Sequence, residues 1–400
     1  MANPVQPPVS ASRIWLLATR SMKMIAIALL SAAAATQSAQ AQTYSLLYSF
    51  TGEHGVNPAG GLFRDAAGNL YGTTVYGGDS GNGTVFKLDT TGKETVLHSF
   101  SGNSDGGFPF GGLIRDKFDN FYGATGSGFT NAGVVFQMDG RGNETVLHTF
   151  SDFTHGAGPT AILVRDKAGN LYGTTLGGGN LRPCLLAGCG LVFKLNARGK
   201  ETVLYRFKGK ADGKTPFGSL VRDPAGNLYG TTTKGGGADA GVVFKVDSTG
   251  KETVLYSFKG KSDGKTPMAG LVRDAAGNLY GTTEFGGASG AGVVFKLGPS
   301  GKETVLYPFT GGADGANPIA TLIRDAAGNL YGTTVNGGAS GVGVVFSLDT
   351  TGKQTVLHSF NQTDGEFPSA PLFRDANGNL YGTAFGGGAS GGGVVYKIAP

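Results

Sequence analysis

The chain has 400 residues, 72 of them glycine, and a formal net charge of +5. Three of its 33 basic residues (Arg13, Arg20, Lys23) and none of its 28 acidic ones lie in the first 41 positions, which leaves the rest nearly balanced at +2. With no clustered basic stripe in the sequence, that balance argues against a nucleic-acid partner or an anionic-membrane binder. Glycine is far above its usual ~7%, yet it recurs at fixed places between apolar stretches. That pattern describes tight turns in a folded all-β protein rather than a disordered chain.

In chain order, residues 1–41 read as a cleaved signal peptide. Met24 to Ala35 is a short apolar run preceded by Arg20 and Lys23, and Ala39-Gln40-Ala41 is the small-x-small pattern accepted by a signal peptidase. The run is too short to cross a bilayer, which takes about 20 apolar residues, so no membrane span is expected in the mature chain. Export to an extracellular or periplasmic location follows. The leader also contains the sole tryptophan, Trp15.

From residue 42 onward the chain is one unit written seven times, read as a single domain over 42–400. The phrase RDAAGNLYGTT occurs at Arg64–Thr74, Arg273–Thr283 and Arg324–Thr334, and its tyrosine marks each copy: Tyr71, Tyr122, Tyr172, Tyr229, Tyr280, Tyr331 and Tyr381. A period near 50 residues with several short strands is the signature of a β-propeller. In the fifth copy the four strands are expected at Ala269–Asp274, Asn278–Thr283, Gly292–Leu297 and Glu303–Phe309, each rich in Val, Leu, Tyr, Phe or Thr. The hairpins between them read Asp-x-x-Gly-Asn or Asp-x-x-Gly-Lys. There Asp accepts local backbone hydrogen bonds and Gly takes the left-handed conformation; one carboxylate per turn is too few ligands for calcium. Tyr44–Phe50 is a fourth strand without its first three, and the last copy stops at Gly393–Ile398 without its fourth. The N-terminal strand therefore completes the last of seven four-stranded blades, which removes the free sheet edges. A closed ring of this kind is expected to be a monomer.

The unit, with GLxRD, GNLYGTT, GG-x-SG-x-GVVFKL and GKETVLYSF, resembles the GloVer tandem-repeat proteins, exported bacterial proteins with variable surface anchors. The resemblance spans Tyr44 to Ile398. It implies a secreted propeller and carries over no activity or catalytic residues. The chain ends two residues after Ile398 with no hydrophobic helix or sorting tail, so surface attachment is not expected from that end. More loosely, GLVRDAAGNLYGTT is similar to the inner strands of NHL-type and lactonase-type propellers.

A ligand is expected where the loops between strands two and three and between blades meet, around the central channel. Asp105, Asp212, Asp263, Asp314 and Asp364 recur in the inter-blade loops, with His54 and His155 at the equivalent places in two blades. They read as turn residues rather than a metal ring. Arg64, Arg115, Arg165, Arg222, Arg273, Arg324 and Arg374 form a second sevenfold set. These are expected to pack on aromatic rings or pair with a neighbouring blade. A site should break the symmetry, and the residues just after GTT do so. The candidates there are Tyr76, Lys234, Glu284, Phe285, Asn336 and Phe385. The third blade carries the insert NLRPCLLAGCG with the only cysteines, Cys184 and Cys189, expected to form a disulfide in an exported chain. His98, His148 and His358 stand in place of the outer-strand tyrosine, and no catalytic triad, carboxylate pair, cofactor or metal site can be argued from spacing. The leading expectation is an exported non-enzymatic module that binds a glycan, peptide or surface partner. The alternative is a calcium-dependent hydrolase or lyase with its site at the channel.

Overall fold

Each copy of the repeat folds into four antiparallel strands because its apolar, β-branched and aromatic residues come in runs of about five, cut by Asp–Gly hairpins. A computed structural model describes residues 42–127, 132–181, 184 and 188–400; the expected leader lies outside them. Among the described residues there are 28 strands in seven four-stranded sheets. No helix among them is long and apolar enough to cross a membrane.

The first blade comprises β2 (Phe63–Arg64), β3 (Leu70–Thr74), β4 (Thr84–Leu88) and β5 (Glu94–Ser99), numbered in chain order after β1 (Thr43–Ser49). The last comprises β26 (Phe373–Arg374), β27 (Leu380–Ala384) and β28 (Val394–Ala399), with β1 as its outer strand. Closure by the N-terminal strand is thus as expected. Phe50 donates its backbone N–H to Gly393, and the Ser49 hydroxyl accepts from Ala389.

The first strand of each blade is shorter than the sequence implies. In the fifth blade only Val272–Arg273 ladders with the second strand, although Ala269–Asp274 was expected. Nearer the axis the blades converge, and the carbonyl of Ala269 accepts from the Thr231 hydroxyl of the preceding blade instead. Packing explains the invariant glycine of each LYG. A Cβ on Gly72 would meet Phe86 at 2.7 Å, so only glycine lets the third-strand ring lie flat on the second strand.

Blade-to-blade packing is a closed circuit of edge-on aromatic pairs. The last residue after each outer strand meets the third-strand ring of the next blade: Phe100 on Phe136, Phe258 on Phe295, Phe360 on Tyr396, and across the closure Phe50 on Phe86, with centroids 5.1–5.3 Å apart. A second circuit uses the sevenfold arginines. Arg64 lies over Tyr381 and Arg273 over Tyr229, 5.5 and 5.8 Å from the ring centroids, and the other five lie over an aromatic of the preceding blade in the same way. Each such tyrosine donates to the aspartate of its own first hairpin, as Tyr229 does to Asp223 at 3.0 Å. The arginines belong to the framework.

Candidate functional site

The loop face is organised by one residue per blade, the one before each inter-blade proline. Asn57, Phe108, Gly158, Thr215, Thr266, Asn317 and Phe367 all have φ between 55° and 69°. That region is unfavourable for a threonine or phenylalanine. Two hydrogen bonds hold each one there. Thr266 donates its N–H to Ala240 of the preceding blade, and its carbonyl accepts from Glu284 of its own blade; the other six repeat this pattern. The strain is therefore offset by a clamp between neighbouring blades.

That clamp places the candidate site residues in two registers. In the first, Glu284 and Phe385 follow the second strand directly and are half-buried. A Cβ at the equivalent Gly126 would lie 3.3 Å from Phe110 and from Thr160, so this register faces the rim of the channel. Burial alone pushes the Glu284 carboxyl above its usual range. In the second register, Tyr76, Lys234, Phe285 and Asn336 point to solvent, as strand alternation requires. Tyr76 and Phe285 are 43% and 42% exposed. Tyr76 packs edge-on against Phe108, and Asn336 donates to the side chain of Asn317 at 3.1 Å. The last threonine of each GTT fixes this register. Thr283, for instance, donates its hydroxyl to the carbonyl of Phe285 at 2.8 Å. The six candidates are spread over blades one, four, five, six and seven, and none of them lines the central cavity.

The cavity itself, about 70 Å³, is lined by the segment just after each proline. Its outer ring is Ala59, Phe110, Thr160, Phe217, Met268, Ile319 and Ser369, and no charged residue contributes to its wall. The bulky apolar members come from blades two, four, five and six, which makes the mouth lopsided. Two hydroxyls stitch the level below: Ser219 accepts from the N–H of Ile162, and Thr321 from that of Gly270. Sequence reasoning missed this ring. The signal was present, because the residue after each proline varies from copy to copy as much as the residues after GTT.

The recurring aspartates are turn residues. Asp263 accepts from the backbone N–H of Lys259 at 2.8 Å and from the Tyr256 hydroxyl at 2.9 Å, and Asp212 and Asp314 repeat the arrangement. His358 replaces the tyrosine and reaches Asp364 at 3.1 Å. Beside them sit the glutamates that open the next outer strand. Burial, reinforced by the neighbouring Asp105, Asp212 and Asp263 respectively, pushes Glu144, Glu252 and Glu303 up to about 7. Among the described residues no three His, Cys, Asp or Glu side chains gather into a set that could hold a metal. Cys184 and Cys189 are joined in a disulfide, and Cys189 is fully buried against blade four, where its carbonyl accepts from Thr215.

Solved structures share the architecture. A virginiamycin B lyase from Staphylococcus aureus superposes with a TM-score of 0.59 at 13% identity, over 90% of this chain and 99% of that one. The extracellular domain of a one-component system from B. thetaiotaomicron gives 0.56 at 14% identity, over 89% of this chain and 41% of that one. At such identities the likeness is one of fold. No curated protein matches the chain in sequence. The model of the Gloeobacter/Verrucomicrobia repeat matches residues 35–244, 151–287 and 220–400, which together span the whole propeller, and the chain belongs to that family.

Proposed function

We propose that this protein is an exported, non-enzymatic binding module that engages a glycan, peptide or other surface partner through its loop face. The observation that carries the reading is where the blades differ. Framework positions repeat from blade to blade: the paired rings, the stacked arginines, the hairpin aspartates. The clamp residue, the residue after the proline and the two residues after GTT vary around the ring instead of keeping one identity, and all four lie on one face. A scaffold needs only to close, whereas a binding surface must be particular. Among the described residues, four of the six exposed large apolar side chains, Tyr76, Phe153, Phe285 and Phe367, stand in those loops. Export is supported by the leader pattern and by the disulfide.

The test is a thermal-shift screen of the purified protein against glycans and peptides, with N-terminal sequencing of the exported form. A ligand at a hundred times its dissociation constant stabilises by about 2.7 kcal/mol, and Tyr76→Ala with Phe285→Ala should abolish that shift without lowering the unliganded melting temperature. Sequencing should begin at Gln42. A ligand shift that survives both alanines and follows loss of the channel ring instead would move the site off the outer loops. Turnover of a bound glycan would end the non-enzymatic reading.

A further inference from the structure

Two adjacent blade boundaries carry a charge pattern that the other five lack. The loop entering blade four reads Lys208-Gly209-Lys210-Ala211-Asp212-Gly213-Lys214, and the loop leaving it reads Lys259-Gly260-Lys261-Ser262-Asp263-Gly264-Lys265. Elsewhere the same places hold neutral residues, as in Ser101-Gly102-Asn103 or Thr310-Gly311-Gly312, or a glutamate, Glu53 in the loop entering blade one and Glu366 in the loop entering blade seven. Lys234 stands between the two loops, on blade four itself.

The fold fuses these three segments into one ridge. Lys214 and Lys234 pair as an antiparallel bridge, with the Lys214 N–H donating to the Lys234 carbonyl at 2.9 Å. Gly236 donates to the carbonyl of Lys210 at 2.8 Å, and Thr266 to that of Ala240 at 2.9 Å. Along the ridge Lys208, Lys210, Lys234, Lys259, Lys261 and Lys265 are all exposed. Among the described residues none of the six forms an ion pair; only Lys214 does, with Asp239 at 3.0 Å. The other acidic groups of these loops are turned inward, Asp212 and Asp263 being held by tyrosine hydroxyls and backbone N–H groups.

Six unpaired ammonium groups in one place exceed the net excess of the whole chain, +5. Asp239 near Lys234, Glu252 near Lys208 and Glu303 near Lys259 offset part of their mutual repulsion without forming ion pairs, and the rest is a standing cost. A polyanion laid along the ridge would relieve it. Phe285 adds the second element. Its backbone pairs with Lys265 in an antiparallel bridge, so an exposed aromatic ring borders the lysines. A ring of that kind offers a flat apolar face to a sugar.

We propose that the blade-four ridge is the docking surface for an anionic polysaccharide, carboxylated or sulfated, with the lysines on its acidic groups and Phe285 against a sugar face. The inference rests on the binding-module reading and narrows it to one ligand class and one sector of the ring. Lysine suits this task because a flexible point charge follows irregularly spaced acid groups without needing a fixed fork geometry. Single-stranded nucleic acid is the poorer fit, since its binders combine charge with a succession of stacking platforms, and the ridge has one ring.

The experiment measures binding of the full-length protein to immobilised polyuronate, chondroitin sulfate, neutral dextran and single-stranded DNA. Two triple variants with equal loss of charge are compared: Lys259→Gln, Lys261→Gln, Lys265→Gln on the ridge, and Lys93→Gln, Lys251→Gln, Lys302→Gln on distant hairpins, all exposed positions. The expected result is binding to one or both acidic polysaccharides that weakens about tenfold or more in the ridge variant and steeply with added salt, while the hairpin variant behaves as the parent. Replacing the same ridge lysines by arginine should restore binding. Equal weakening in both triples would overturn the proposal in favour of diffuse attraction, and DNA binding as tight as polysaccharide binding would overturn it in favour of nucleic acid. Binding of neutral dextran alone, unaffected by the ridge variant, would remove the ridge and leave the binding module standing. If no glycan or peptide binds, both readings fall. Should the triple variant unfold, Lys261→Gln and Lys234→Gln, each at an exposed position, supply the same comparison singly.

Discussion

Replacing Tyr396 by phenylalanine should stabilise the protein. Tyr396 is fully buried in the last blade, and its hydroxyl has no hydrogen-bond partner. Burial holds the phenol's pKa well above its ordinary value. The equivalent residue in the other six blades is phenylalanine: Phe86, Phe136, Phe193, Phe244, Phe295 and Phe346. The hydroxyl lies over Gly382, where it is the nearest atom that a Cβ at that position would meet. A buried hydroxyl without a partner costs about 1–3 kcal/mol, and removing it leaves a gap smaller than a methyl group. The expected gain is therefore about 1 kcal/mol, after allowing for the dispersion attraction that the oxygen itself supplied. Urea unfolding followed by circular dichroism reads this as a higher midpoint at unchanged slope, with a melting temperature raised by about 2 °C or less in a domain of this size. A loss of 1 kcal/mol or more would show that the hydroxyl is bonded in the folded protein, and would refute the copy-by-copy reading of this core.

The outer-rim glutamates set a pH dependence with a definite sign. Glu144, Glu252 and Glu303 have folded values near 7, above their ordinary 4.5. Their contribution is complete at low pH and is lost as pH rises through about 7, so Glu→Gln at the three sites should flatten the alkaline side of a melting-temperature profile. Burial lowers His98, His148 and His358, which subtract stability as pH falls through the ordinary histidine range. Between about pH 4.5 and 6.5 the two trends oppose each other, so the check is the variant: a triple Glu→Gln protein whose melting temperature falls with rising pH as steeply as the parent's would contradict the assignment. Deleting Gln42 to Phe50 should open the ring. It strips β1 from the last blade and removes Phe50, which is fully buried against Phe86. Aggregation at a lower temperature is expected by light scattering, and an equally stable, dispersed truncation would disprove the closure.

Most of the fold was legible because its determinants are local and repeat: a glycine that must lie under a ring, an aspartate that must close a hairpin, an aromatic at each strand end. The closure was legible from strand bookkeeping at the two ends. The first strand came out short near the axis, where blades one and four reach the next blade's first-strand carbonyl through a threonine hydroxyl (Thr73 to Gly111, Thr231 to Ala269), a contact that no pattern within one copy reveals. The candidate site was only partly legible. Glu284 and Phe285 are adjacent in sequence, yet strand alternation sends one to the rim and the other to solvent. The channel ring and the lysine ridge join residues about one full period apart, so reading along the chain disperses what the ring brings together.

The first strand of the propeller is made long before its partner. Ser49 and Phe50 find their hydrogen-bond partners at Ala389 and Gly393, so the N-terminal strand has nothing to pair with until almost the entire chain has emerged. Six blades can form in order of synthesis, but the seventh joins the earliest and latest segments and must be the final event. For a chain threaded through a membrane from its N-terminus, the ring cannot close on the side it leaves while its beginning is already across. The circular connectivity thus acts as a timer. The finished molecule exists only where the last residues arrive, and until then β1 is an unpaired edge open to capture by chaperones or by the wrong strand.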